Sequence, residues 1–416
     1  MSPETGASET ALPTRSIGRV LLSRDFGPLF AGNLVSNSGT WFQNIAQVLL
    51  VYRLTGSIFL VGVVNFAQFA AIIFLATVAG RAADRFDRRR LLILTQVAAA
   101  VLTAILAGLT GAELAPAPVV IGFALALGVT TAFATPTLQA LVPSLVAEEE
   151  LPSAVALIAV TFNLSRAIGP VLGVFVVAKL GIATAFLLNS LSYVVLIAAL
   201  LVVVPRPRRV GSEEEGSARI GLRFLFARSA LFAPILVVGI VSLTADPVNT
   251  LTPAFSTEIL GRQDTFAGYL VGAFGAGAVV AAFAVARVAP SFKVLTVTLA
   301  TEFVGILAFA LSSTVLLSVA ALTVAGFGYL ASVTASTSLL HRSVVDSHRG
   351  RVMAYWSMSF HGVRPVGSLF DGYVAEAAGI RAAGLAMSVP AAAGAVFVAL
   401  LARRRRRSSP AEPKAS

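Results

Sequence analysis

Six ionisable side chains interrupt stretches of this chain that are otherwise apolar: Arg166, Asp246, Glu302, His361, Arg364 and Asp371. On a water-facing surface such residues would be unremarked. Inside a long apolar helix each is a charge that needs a cavity or a partner, because an arginine at the centre of a bilayer costs about 2.5–3.5 kcal/mol even on the lenient insertion scale. The chemistry open to them is ion pairing, lining of a polar cavity, and carriage of a proton. Asp246, just before Pro247, and Glu302, near the middle of its apolar stretch, are candidates for proton coupling, since a carboxylate that is buried and then approached by a charge can bind and release a proton. A structural ion pair is the competing reading for each. Arg166 and Arg364 are expected to face a cavity, with His361 beside them, and Asp371 to be an interfacial residue.

Amides form a second group. Asn37, Trp41 and Asn44 are spaced by four and three residues and share one helical face, with Gln43 and Gln47 in the same stretch. Gln68, Gln139, Asn163 and Asn249 could join them as cavity lining, and Asn65 with them; any single amide could instead be an interhelical hydrogen bond. Phe42, Phe66, Phe69 and Phe360 could supply an apolar wall.

Other chemistries are excluded. The chain has no cysteine, so it has no disulfide, thiolate nucleophile or Cys-ligated metal. Its three histidines make a His-rich metal site improbable, and no metal or cofactor is expected. None of its lysines (Lys179, Lys293, Lys414) follows a glycine, so no phosphate-binding loop is present to hydrolyse ATP. An enzyme is not expected, and any transport must be driven by an ion gradient or run downhill.

The elements that hold these residues follow from composition. Of 416 residues 57% are hydrophobic and 12% charged, against about 25% charged in a soluble domain; mean hydropathy is +0.86. Continuous apolar runs without two-residue alternation exclude an outer-membrane barrel. A helix needs about 20 apolar residues to cross a bilayer. Twelve such segments are expected, at 26–52, 58–80, 91–110, 117–141, 152–178, 182–204, 229–256, 266–288, 294–313, 315–338, 352–376 and 382–402. The fold class is therefore an all-α membrane protein of two six-helix bundles, 26–204 and 229–402, with a polar tail at 1–25, a solvated linker at 205–228 and a basic tail at 403–416.

Basic residues test this map. With both ends cytoplasmic, 25 of the 31 lysines and arginines fall on the cytoplasmic side and four outside (Arg53, Lys179, Arg262, Arg381), as the positive-inside rule requires. The net charge of +11 is then explained by topology and an anionic inner leaflet; nucleic acid is not expected as a partner. The location implied is the cytoplasmic membrane.

The halves superimpose with the fifth span on the eleventh: Arg166-Ala-Ile-Gly169 matches Arg364-Pro-Val-Gly367. Each arginine lies about 13 residues into its span, roughly 20 Å along a helix, near mid-membrane. Repeats with a site at their interface are a transporter arrangement. Gly169 and Gly173, and Gly268 and Gly272, allow close helix approach, and Pro170 is expected to kink its helix.

The segment Gly80-Arg81-Ala82-Ala83-Asp84-Arg85-Phe86-Asp87-Arg88-Arg89-Arg90 resembles the signature loop of the major facilitator superfamily, with Asp87 where that pattern often has glycine. Gly39-Thr40-Trp41, Leu54-Thr55-Gly56-Ser57, Arg166 to Gly173 and Arg349-Gly350-Arg351 resemble its bacterial branch of enterobactin exporters and macrolide efflux proteins. The resemblance covers nearly the whole chain and implies a gate in which Gly80, Asp84, Arg85, Arg88 and Arg89 meet Arg349 and Arg351, with Asp84 capping the eleventh span. A local Asp84–Arg88 pair is the plainer alternative. It also implies a secondary transporter, a monomer that exports a small amphipathic molecule (antibiotic, siderophore or secondary metabolite) by proton-coupled alternating access. A nutrient importer and a signalling or scaffold protein on the same fold are the alternatives, and the midplane charges weigh against the latter.

Overall fold

The computed structural model describes residues 14–206, 228–245, 247–285, 288–344 and 346–408. A short helix α1 (Thr14–Leu21) precedes the long helices α2 (Gly27–Thr55), α3 (Ile58–Arg85), α4 (Arg88–Gly111), α5 (Ala117–Leu141), α6 (Leu151–Leu180) and α7 (Ile182–Val202). The second set is α8 (Ser229–Thr244), α9 (Ala267–Val285), α10 (Phe292–Leu311), α11 (Val315–Ser343), α12 (Asp346–Gly362), α13 (Arg364–Ala378) and α14 (Ile380–Ser408). Most of the linker expected at 205–228, and Asp246, lie outside the described residues.

Among the described residues, ten helices are long and apolar enough to cross a membrane by length and composition. The remaining two expected spans differ for physical reasons. α2 carries the amide stripe, which lowers its mean hydropathy. The eleventh span, expected to be continuous over 352–376, is broken at Val363, so that α12 and α13 are each short and Arg364 is the first residue of α13. Pro365 follows at the position where a proline lacks no hydrogen bond. The seventh span breaks too. α8 stops at Thr244, and Pro247–Thr250, Thr252–Ala254 and a π-helical turn Phe255–Ile259 continue it as separate pieces. With these, the chain is a twelve-helix membrane fold of two pseudo-symmetric bundles. In the first, α2 packs on α6 and α7, α3 on α5, and α4 on α5 and α7; in the second, α11 packs on α9 and α10, and α14 on α10.

Local chemistry sets the ends. Gly56 closes α2 in the left-handed region (φ 65°), and the Ser57 hydroxyl then accepts from the Leu60 N–H at 3.2 Å to start α3. The internal repeat is visible in the backbone: Gly181 and Gly379, which end α6 and α13 with φ of 86° and 93°, are separated by 198 residues, as are Arg166 and Arg364.

The signature segment is not a loop. α3 runs helical through Arg85 and α4 begins at Arg88. Asp87, the departure from the glycine pattern, is the N-cap of α4 and accepts from the Arg90 N–H at 2.7 Å. Arg88 donates to the Ala140 carbonyl of α5 at 3.1 Å. Arg89 donates to Leu200 and Leu201 carbonyls of α7, both at 2.6 Å. These guanidiniums satisfy helix C-termini, where a cation is favoured.

The two bundles meet along two equivalent seams, α3 against α13 and α6 against α9. Glycines allow both. A Cβ on Gly372 would lie 2.8 Å from Phe59 Cα and 3.0 Å from the Ile58 carbonyl, and one on Gly62 would collide with the Ser368 carbonyl. At the other seam a Cβ on Gly268 would lie 3.0 Å from the Pro170 carbonyl. Pro170 and Ser368 are again 198 residues apart.

Candidate functional site

An open cavity lies between the bundles, lined by Trp41, Asn44, Asn65, Phe69, Asn249 and Arg364 among others. A smaller one adjoins it, shares Trp41 and Asn249, and adds Arg166 and Phe274. Each arginine reaches into the other bundle. Arg166 of α6 donates through Nη1 to the Tyr329 hydroxyl of α11 at 2.5 Å, and its guanidinium carbon stands 4.4 Å from the centre of that ring. Phe274 and its own bundle's Trp41 complete an aromatic enclosure, both at 5.6 Å. Arg364 of α13 stands 4.8 Å over Phe69 of α3. Both arginines are at least nine-tenths buried, and ring faces recover part of the lost hydration.

The amides divide. Trp41 and Asn44 line the cavity, and Gln68 holds Asn44 by donating to its Oδ1 at 2.8 Å. Asn65 donates to Thr250 at 3.2 Å across the interface, and Asn249 lines both cavities. Others leave the expected lining. Asn37 donates to Asn33 Oδ1 at 3.0 Å within α2 and lines neither cavity. Gln43 and Gln47 turn into the first bundle, where Gln43 accepts from Thr103 at 3.2 Å and also from Asn189. Gln139 is exposed on α5 and lines neither cavity. The side chain of Asn163 is outside the described residues. Only Phe69 of the expected aromatic wall lines the larger cavity; Phe42 packs over Gly173, and Phe360 stacks on Trp356 at 5.1 Å.

The acids sit behind the cavity wall. Glu302 of α10 is 0% exposed, and its Oε1 accepts from Thr244 at 2.7 Å, while Oε2 has no hydrogen-bond partner among the described residues. It packs against Gly328, one residue before Tyr329, and feels the Arg166 charge. Asp371, expected at an interface, is instead wholly buried in α13. His361 is half-buried, its Nδ1 3.1 Å from the Ser357 carbonyl and its ring edge-on to Phe360, and it lines neither cavity.

At the end of the bundle where α2 gives way to α3, polar ties join the two bundles. Arg53 holds Asp264 with two hydrogen bonds, 2.5 and 2.9 Å. Glu376, near the end of α13, accepts from the Ser57 hydroxyl at 2.8 Å and the Phe59 N–H at 3.1 Å. Tyr52 donates to Glu258 at 3.1 Å. At the opposite, arginine-rich end, Asp84 is exposed and pairs with no described arginine; Arg88, its alternative local partner, is turned to Ala83 and Ala140. The side chains of Arg349 and Arg351 lie outside the described residues. Gly80 has open space around it, and Arg85 is exposed. Sequence reasoning missed Tyr329, Phe274, Asp264 and Glu376. A lone tyrosine in the apolar run of α11 was a usable signal for the first; Arg53 and Asp264 are 211 residues apart, beyond any spacing rule.

Comparison with known proteins agrees with this architecture. The staphyloferrin A transporter of Staphylococcus aureus (strain NCTC 8325 / PS 47) is 26% identical over 362 residues, covering 85% of this chain and 88% of the relative. The enterobactin exporter EntS of Shigella boydii serotype 4 (strain Sb227) is 26% identical over 349 residues, 80% of each chain. A crystal structure of a bacterial homologue of the human lysosomal transporter Spinster, inward-facing and unoccupied, superimposes with TM-score 0.76 at 13% identity, over 96% of this chain and all of the other (100%). The nucleoside transporter NupG gives TM-score 0.69 at 12% identity, over 90% and 98%. The sequence profile of the family described as transmembrane secretion effector matches residues 21–415, and the chain belongs to that family of major facilitator superfamily transporters.

Proposed function

We propose that the chain exports a small amphipathic compound across the cytoplasmic membrane, coupled to proton movement, by rocking the bundle 26–204 against the bundle 229–402. The observation that carries this reading is a cavity between the bundles whose buried arginines each bond or stack across the bundle interface, linking what fills the cavity to how the bundles sit. The excess of basic residues at the Arg81–Arg90 end supports a cytoplasmic position for that end and for both termini. The polar ties around Arg53 then close the outer side. Export, and a siderophore-like compound as cargo, are supported by the named activities of the relatives; they are analogies of family. Glu302, fully buried with one oxygen unpaired among the described residues, is the proposed proton-carrying group, with Asp246 as its competitor. The chain works as a monomer in a leaflet rich in anionic lipid.

The test is substrate-dependent proton movement in proteoliposomes, across a panel of siderophores and drugs, comparing wild type with Glu302→Gln and Asp246→Asn. Coupled flux that is lost in one variant while binding persists assigns the carrier. Transport unaffected by collapse of the pH gradient in all three proteins overturns the coupling, and uptake driven into the cytoplasmic side overturns export.

A further inference from the structure

We propose that the midplane cavity selects compounds bearing an anionic group, a carboxylate or related oxyanion on an apolar or aromatic body, with Arg166 as the residue that receives the charge. The proposal rests on the transport reading above and adds the substrate's charge to it. Among the described residues that line the two cavities, the only charged side chains are Arg166 and Arg364. Glu302 and Asp371 are withdrawn into helix packing and line neither cavity, while Asp246 lies outside the described residues. Arg166 has no carboxylate within ion-pair distance among the described residues, and its hydrogen bond to Tyr329 engages one of its five N–H donors. Three rings face the guanidinium with their π clouds, and the residue lines the smaller cavity. A planar fork of this kind accepts a carboxylate through two parallel hydrogen bonds. Arg364, the first residue of the 15-residue helix α13, lines the larger cavity. Trp41, Phe69 and Val271 give the apolar wall against which the body of the compound lies.

The chain contains two tryptophans, Trp41 and Trp356, so Trp356→Phe leaves Trp41 as a reporter inside the cavity. Purified full-length protein in this background is titrated with 4-phenylbutyrate, its methyl ester and 4-phenylbutylamine, following Trp41 emission. The expected result is saturable perturbation by the carboxylate, with affinity at least ~10-fold above ester and amine, the range of a charge-assisted hydrogen-bonded pair. Arg166→Gln should bring the carboxylate down to the ester, and Arg166→Lys should restore part of the difference. Equal affinity of acid and ester, preference for the amine, or no saturable response to the carboxylate overturns the proposal; this comparison needs only the reporter protein, so a variant that misfolds does not blunt it. The transport reading fails separately: carboxylate selectivity without flux in proteoliposomes leaves the anion site standing and removes transport, whereas flux of the amine alone does the reverse.

Discussion

Adding one methyl group at Gly372 should prise the two bundles apart at the seam between α3 and α13. Its Cβ would lie 2.8 Å from Phe59 Cα and 3.0 Å from the Ile58 carbonyl oxygen. Carbon contacts are most favourable near 3.5–4.0 Å, so the helices must separate by roughly 0.7–1 Å. The obstacle is backbone on the facing helix, which no rotamer change relieves. Overpacking of this kind costs about 1–3 kcal/mol, but the cost falls only on the arrangement in which the seam is shut. The equilibrium between bundle positions should therefore move about 5- to 150-fold toward the state opened at the Arg53 end. The absence of cysteine in the chain makes the assay clean. A single Asn249→Cys, in the cavity lining, is labelled by a membrane-impermeant maleimide in right-side-out vesicles, with and without Gly372→Ala. The labelling rate should rise by at least about fivefold, and thermal stability should change less than for a buried substitution within one bundle. Gly122→Ala, where a Cβ meets nothing within 4 Å, is the control. Unchanged labelling in Gly372→Ala, with the protein folded, would refute both the closed seam and the reasoning from it.

The polar ties at the same end should act in the same direction with less force. Asp264→Asn breaks a two-bond pair whose arginine side chain is 43% exposed, so solvent screening limits its worth to about 0.5–1 kcal/mol; labelling should rise about two- to fivefold, and an Arg53→Gln/Asp264→Asn double-mutant cycle should show the coupling. Arg89→Ala removes two hydrogen bonds to the last carbonyls of α7 and should lower the thermal midpoint, by about 1–2 kcal/mol of stability, without altering ligand affinity. Asp87→Ala should cost about 1 kcal/mol as a lost helix cap, measurable by thermal unfolding, and Asp87→Asn should recover most of it.

Fold class and repeat were legible because they depend on properties a sequence carries locally. Apolar length marks most spans, and an arginine about half-way along two of them marks the equivalent helices. Helix ends at Ser57 and Asp87 follow from their neighbours three residues on. The site was legible in part. Trp41, Asn44, Asn249, Arg166 and Arg364 line the cavities, yet Gln139 and Asn37 do not, although their residue types are the same. An amide's role depends on the helix that faces it, and that is settled by bundle packing. Gln43 and Gln47 show the point: four residues apart, they share one face of α2, and a turn of about 100° per residue carries that face away from Trp41 and Asn44 and into the core. The break at Val363 was invisible for a related reason. The equivalent stretch of α6 is continuous, so a single symmetric expectation had to fail in one half.

The contact between Arg166 and Tyr329 also bears on biogenesis. The hydrogen bond that the Arg166 guanidinium makes, and the ring closest to it, come from a residue 163 positions further along the chain. During synthesis the first six helices are complete long before that tyrosine exists. For that interval a cation with a lipid cost of about 2.5–3.5 kcal/mol has only Trp41 of its final enclosure. The first bundle is thus an unfinished object on its own, and co-expression of the two halves as separate polypeptides should rescue it where the first half alone is degraded.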